Sequence, residues 1–199
     1  MLYLVEPTQV EIDKQKNSRF IAFAVPLQEQ AHVLSQIKRI KECHPKAQHF
    51  CYAWRMLDGT EGTSDDGEPH GSAGVPILKP IAGHNIVNIL VVVVRYFGGV
   101  KLGVGGLVRA YGLACQTVLS HAQLEPYIPT SRFQFNYSYD QESAVRSVLS
   151  KFPNMAVEFS YQEKILVNLS LPSSEITDFL TLLNAALGGQ LSLENRLDK

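Results

Sequence analysis

Residues 86–112 read IVNILVVVVRYFGGVKLGVGGLVRAYG. The β-branched run from Ile86 to Phe97 is nearly all apolar through Val94, which predicts a strand covered on both faces; a half-exposed strand would alternate. Gly98, Gly99, Gly103, Gly105 and Gly106 follow, and then Leu107, Tyr111, Ala114 and Val118 recur at helical spacing as far as His121. Strand, glycine loop and helix in that order bring free backbone N–H groups to a helix N-terminus, a setting that favours anions. Arg95, Lys101 and Arg109 flank the loop. A second glycine-rich stretch, SDDGEPHGSAG from Ser64 to Gly74, is acidic. Opposite charge and small residues predict that the two stretches approach each other on one side of the first domain, where a functional surface is expected.

Working outward, Ser18–Val25 reads as a strand and Gln28–Glu42 as a helix with Val33, Leu34, Ile37 and Ile40 inward. His49–Met56 has period two, with Phe50, Tyr52, Trp54 and Met56 on the core side. Val75–Ala82 is a short helix, Pro76 in its first turn and Gly83 beyond its end. Residues 123–130, carrying Pro126 and Pro129, read as a boundary between a domain of residues 1–125 and one of residues 131–199. In the second, Ser131–Tyr139 alternates with Phe133, Phe135, Tyr137 and Tyr139 on one face. Asp140 caps a helix to about Phe152, and Met155–Tyr161 with Lys164–Leu171 forms a hairpin. Ser173 or Ser174 starts a helix that Leu187, Gly188 and Gly189 close, and Gln190–Leu193 is the last strand. The sum is β-α-β-β-α-β, a ferredoxin-like pattern, in an α+β chain of two domains.

With 199 residues, 45% of them hydrophobic, and a net charge of -1, the chain reads as globular. Its longest apolar stretch falls well short of the about 20 residues a membrane helix needs. The N-terminus has no basic segment leading into an apolar one, so a cytoplasmic location is expected. Cys43, Cys51 and Cys115 form no CxxC and read as reduced thiols. A near-neutral charge excludes a wholly basic nucleic-acid binder, so affinity for RNA would come from a local patch.

The chemistry-bearing candidates lie in the two glycine stretches. Gly98–Gly106 departs from a Walker A loop, because Val104 stands where lysine is required after Gly103, and from G-x-G-x-x-G, because Val108 ends the pattern begun at Gly103. Its other readings are a tight backbone crossing or a surface for a phosphate backbone or a protein. Asp65, Asp66 and Glu68, with His70, are of the type that holds Mg²⁺, and the alternative is an ordered turn built on Ser64 and the aspartates. Cys43, His44, His49 and Cys51 fit no common zinc spacing, and no G-x-S-x-G elbow is present. Lys38, Arg39, Lys41 and Lys46 cluster at a helix end, where cations also complement the helix dipole.

SRFIA (Ser18–Ala22), HPKAQHFCYAW (His44–Trp54), SDDGEPHGSAGVPIL (Ser64–Leu78) and VVVVRYFGGVKLGVGGLVRAYG (Val91–Gly112) together resemble the IMPACT family. The resemblance implies a βαβ-rich first domain similar to ribosomal protein S5 domain 2, and a second similar to a C-terminal domain of elongation factor G. It also implies a link to translation, which the eukaryotic relatives regulate under amino-acid starvation. The expectation is a non-enzymatic binding protein that regulates translation by contacting ribosomal RNA or a ribosome-associated partner, without cofactor or metal. The expected binding residues are Ser64, Asp65, Asp66, Gly67, Glu68, Arg95, Gly98, Gly99, Lys101, Gly103, Gly105, Gly106 and Arg109. The rival readings are a Mg²⁺-dependent enzyme acting on a phosphorylated small molecule or nucleic acid, and a protein-interaction module.

Overall fold

A computed structural model describes residues 1–191 and 193–196. It is a mixed α+β chain in two compact units, Met1–Tyr127 and Ile128 onward. The first unit contains strands β1 (Leu2–Leu4), β2 (Thr8–Gln15), β3 (Ser18–Pro26), β4 (His49–Arg55), β5 (Glu61–Ser64), β6 (Ile86–Val87), β7 (Ile89–Tyr96) and β8 (Leu124–Pro126). Its helices are α1 (Val33–Cys43), α2 (Gly74–Gly83) and α3 (Val104–His121).

β7 is the central strand of a five-stranded antiparallel sheet ordered β2-β3-β7-β4-β5. Every residue from Ile89 to Arg95 is buried, which is what the unbroken apolar run requires. Ile89, Val91 and Val93 join a core with Ile77 and Ile81 of α2 and Leu107, Tyr111 and Val118 of α3. Leu90, Val92 and Val94 join Val33 and Ile37 of α1 on the other face. Phe50, Trp54 and Met56 are buried on the α1 side as expected, with Tyr52 half-buried, while Cys51 and Ala53 are buried on the opposite face.

The predicted strand Ile86–Phe97 is divided at Asn88, whose φ of 53° is left-handed. Asparagine tolerates that conformation. Here its carbonyl accepts the Leu27 N–H at 2.8 Å and its Oδ1 accepts the Leu57 N–H at 2.9 Å. Leu34, expected inward, is 72% exposed, because the buried face of α1 runs through Val33, Ile37 and Ile40 and leaves Leu34 about 100° around the helix from Val33. Leu124–Pro126, read as linker, pairs antiparallel with β1, which also pairs parallel with β6. The first unit therefore runs to Tyr127 rather than 125.

The second unit is β9 (Thr130–Tyr137), α4 (Glu142–Leu149), β10 (Ala156–Tyr161), β11 (Ile165–Pro172), α5 (Ile176–Ala186) and β12 (Leu193–Arg196). Its sheet is antiparallel in the order β10-β11-β9-β12. Phe133, Phe135 and Tyr137 alternate into a core with Val145, Leu149, Phe179 and Leu183. Tyr139 lies past the strand end and is exposed. The turn into α4 is capped by Ser138 with Gln141 in a capping box, not by Asp140, the Ser138 N–H donating to Gln141 Oε1 at 3.1 Å. The last strand begins at Leu193, later than the expected Gln190–Leu193; Ser192 of that expectation lies outside the described residues. Among the described residues no helix is long and apolar enough to cross a membrane.

Candidate functional site

The acidic stretch is held by its own backbone. Asp65 Oδ1 accepts the N–H groups of Ala73 (3.0 Å) and Gly74 (2.8 Å), and Oδ2 accepts that of Gly71 (2.8 Å). One carboxylate thus takes two N–H groups where α2 begins, those of Ala73 and Gly74, and one from the turn before it. Burial, the largest single influence on Asp65, pushes its pKa up; the N–H donors of Gly74, Gly71 and Ala73, with the nearby His70, outweigh it and hold the carboxyl below its ordinary value. Asp66 Oδ2 accepts the Phe50 N–H at 2.7 Å, its own N–H donates to Ser64 Oγ at 3.2 Å, and its Oδ1 lies 3.7 Å from Lys41 Nζ. Gly67 has a φ of 85°, where a side chain would be strained, and a Cβ there would touch the His49 ring.

Glu68 points inward. Its Oε1 lies 2.6 Å from Arg95 Nη1, and both side chains are only 5% exposed. The Tyr111 hydroxyl donates to the same oxygen at 2.7 Å, and His49 Nε2 stands 3.9 Å away. His49 is oriented by the Asp66 carbonyl at Nδ1, 2.9 Å. Cys51 Sγ lies 3.0 Å from the Asp65 carbonyl and 3.3 Å from the Tyr111 oxygen. Burial pushes its thiol pKa up to about 12, and burial drives the Tyr111 phenol upward as well. Both stay protonated at neutral pH.

Arg95 carries the connection onward. Its Nη2 donates to Ser18 Oγ at 3.3 Å, the same oxygen accepts the Gly98 N–H at 3.2 Å, and the guanidinium lies over the Phe20 and Phe97 rings. Glu68 of the acidic stretch is therefore bonded to residues on both flanks of the second stretch, Arg95 before it and Tyr111 after it. The link is a buried ion pair and a hydroxyl, made by flanking residues and not by the glycines themselves. The expectation that Arg95 faces an anion fails because β7 is central: in register with Phe20 and His49, its side chain is enclosed.

The carboxylates are likewise committed. Asp65 accepts three N–H groups with His70 at 3.8 Å, Asp66 accepts one N–H with Lys41 at 3.7 Å, and Glu68 takes a cation and a hydroxyl. Among the described residues no group of three His, Cys, Asp or Glu side chains is placed to hold a metal ion.

The glycines of the second stretch divide by cause. A Cβ on Gly98 would overlap the backbone of Asn17, Gly106 packs against Leu102, and Gly99 and Gly103 have positive φ. Gly105 has neither constraint: only Arg109 Nη1, at 3.9 Å, would be near its Cβ. Lys101 and Arg109 are exposed. Ser18, His49 and Tyr111 were not singled out as site residues. The sequence signal for Tyr111 was available, since a tyrosine in a helical core stripe needs a partner for its hydroxyl.

The stretch that builds this network, from β3 through α3, lies almost wholly within residues 16–119, which match the Impact N-terminal domain. The chain belongs to the IMPACT family. IMPACT family member YigZ of Escherichia coli is 31% identical over 92% of this chain and 91% of its own length. The Protein IMPACT homolog of Saccharomyces cerevisiae is 36% identical over a shorter span, 44% of this chain and 36% of its own. A crystal structure of a hypothetical protein superposes on the whole of this IMPACT chain and 98% of its own, with 30% sequence identity and a TM-score of 0.71.

Proposed function

We propose that this IMPACT family member is a cytoplasmic binding protein that acts in translation, contacting ribosomal RNA or a ribosome-associated protein through the exposed surface of residues 97–109. Membership of a family with translation-regulating eukaryotic relatives supports the setting. One observation carries the surface: no aspartate or glutamate occurs between Glu68 and Glu125, and of the cations around the loop Arg95 is spent on Glu68 whereas Lys101 and Arg109 make no ion pair or hydrogen bond among the described residues. Those two charges are uncompensated by neighbours in sequence and are free to attract an anionic partner.

The test is ribosome co-sedimentation across a salt series with Lys101→Ala and Arg109→Ala, with and without ribonuclease. The expected outcome is weakened association for both variants at unchanged thermal midpoint. Where the contact is a phosphate, the salt slope falls by about 0.7–0.9 per variant. A wild type that stays in the supernatant at low salt overturns the proposal.

A further inference from the structure

Resting on the binding role proposed above, we infer that the segment seated on this surface is an acidic amphipathic polypeptide. The apolar content of the surface decides against RNA. Phe97, Val100, Val104 and Val108 are exposed by 45%, 45%, 56% and 38%, and Val104 and Val108 are four residues apart, on one side of α3. A Cβ on Gly112 would lie 3.8 Å from the Pro76 carbonyl, so the start of α2, with its exposed Val75, runs beside these turns. Of these side chains only Phe97 has a π-face on which a base can stack, and one ring with two free cations is little for a single-stranded track. An apolar centre with charges at its edge is the composition of a protein interface.

Charge then selects among polypeptides. Lys101 and Arg109 follow Val100 and Val108 in the chain, and no acidic residue between Glu68 and Glu125 offsets them in sequence, so a basic or neutral partner gains nothing that an acidic one does not gain more of. Anchors at four-residue spacing suit the apolar stripe of a helix laid across them. Phe97 is held in place by the protein itself: its ring is 5.5 Å from the Arg95 guanidinium and its N–H donates to Gln48 Oε1 at 2.8 Å.

The experiment uses the full chain and three fluorescent probes: a synthetic helical peptide of about five turns with leucines on one face and glutamates elsewhere, the same composition scrambled to abolish the face, and a single-stranded RNA of similar charge. The ordered peptide is expected to bind about tenfold tighter than either other probe. Val104→Ser with Val108→Ser weakens it about tenfold, and Lys101→Ala with Arg109→Ala removes most of its salt dependence, both at unchanged thermal midpoint. Equal binding of the scrambled peptide, tighter binding of RNA, or indifference to the valine substitutions overturns the inference. Ordered-peptide binding with that valine dependence, by a protein that fails to co-sediment with ribosomes, upholds the inference and overturns only the translational setting. Co-sedimentation that depends on the cations but not on the valines overturns the inference and upholds the setting.

Discussion

Removing one member of the Glu68–Arg95 pair should destabilise the first unit far more than removing both. Each side chain is 5% exposed and the contact is 2.6 Å. Arg95→Met leaves the Glu68 carboxylate in the interior with the Tyr111 hydroxyl as its remaining hydrogen bond. An uncompensated buried charge of this kind costs about 3–5 kcal/mol, a large share of the roughly 5–15 kcal/mol that holds a domain together. For a unit of this size the loss corresponds to roughly 10–20 °C in midpoint. Glu68→Leu strands the guanidinium with Ser18 and two aromatic faces, and its effect should be similar. The double variant exchanges the pair for apolar volume, and its loss should fall to about 1–2 kcal/mol, because buried ion pairs replaced whole are often neutral. Urea unfolding followed by tryptophan fluorescence isolates the relevant unit, since Trp54 is the single tryptophan and lies in β4. Single variants that each lose less than about 1 kcal/mol, or a double variant that loses the sum of the two, would refute the reasoning.

Gly98→Ala should cost several kcal/mol or prevent folding, because the clash is with Asn17 backbone, whereas Gly105→Ala has open space and should stabilise α3 by up to about 1 kcal/mol; differential scanning calorimetry separates them. Asp65→Ala should cost about 1–3 kcal/mol by orphaning the N–H groups of Gly71, Ala73 and Gly74. Because the folded pKa of Asp65 lies below its ordinary value, its contribution is full above the ordinary carboxylate range and disappears as pH falls through the folded pKa. Acid titration of wild type and Asp65→Ala should therefore show the stability difference shrinking toward low pH. With a disulfide reagent at pH 8, Cys43 should react quickly and Cys51 and Cys115 only on unfolding, since both are buried and burial pushes both thiols up to about 12.

Those parts of the fold were legible whose cause is local. From Ile89 to Val94 the run has no polar residue to turn toward water, so burial on both faces followed from composition alone, and the stripe Leu107, Tyr111, Ala114, Val118 fixed the buried side of α3. Strand β2 was not legible: TQVEIDKQ mixes charge with aliphatics because it is a sheet edge, where Glu11 is held by Arg19 at 2.8 Å. In the candidate site, the sequence shows that Asp65, Asp66 and Glu68 are acids but not which donors face them, and those donors are mostly backbone N–H groups that every residue but proline carries. Arg95 was misplaced for a related reason. Its nearness in sequence to the glycine loop suggested an anion, while its burial is set by β3 and β4, which come from distant parts of the chain.

The three-residue strand β1 has a consequence for the order in which the first unit can be made. Its partners are Ile86–Val87 and Leu124–Pro126, so the opening residues leave the ribosome long before anything exists for them to pair with. The antiparallel half of that pairing joins positions more than a hundred residues apart, and such contacts are made late and slowly. During synthesis at about 5–20 residues per second, the nascent first unit must wait several seconds with Leu2 and Leu4 unpaired. Only when β8 emerges does its own beginning close over its end, and the remaining chain is then released from a unit already complete.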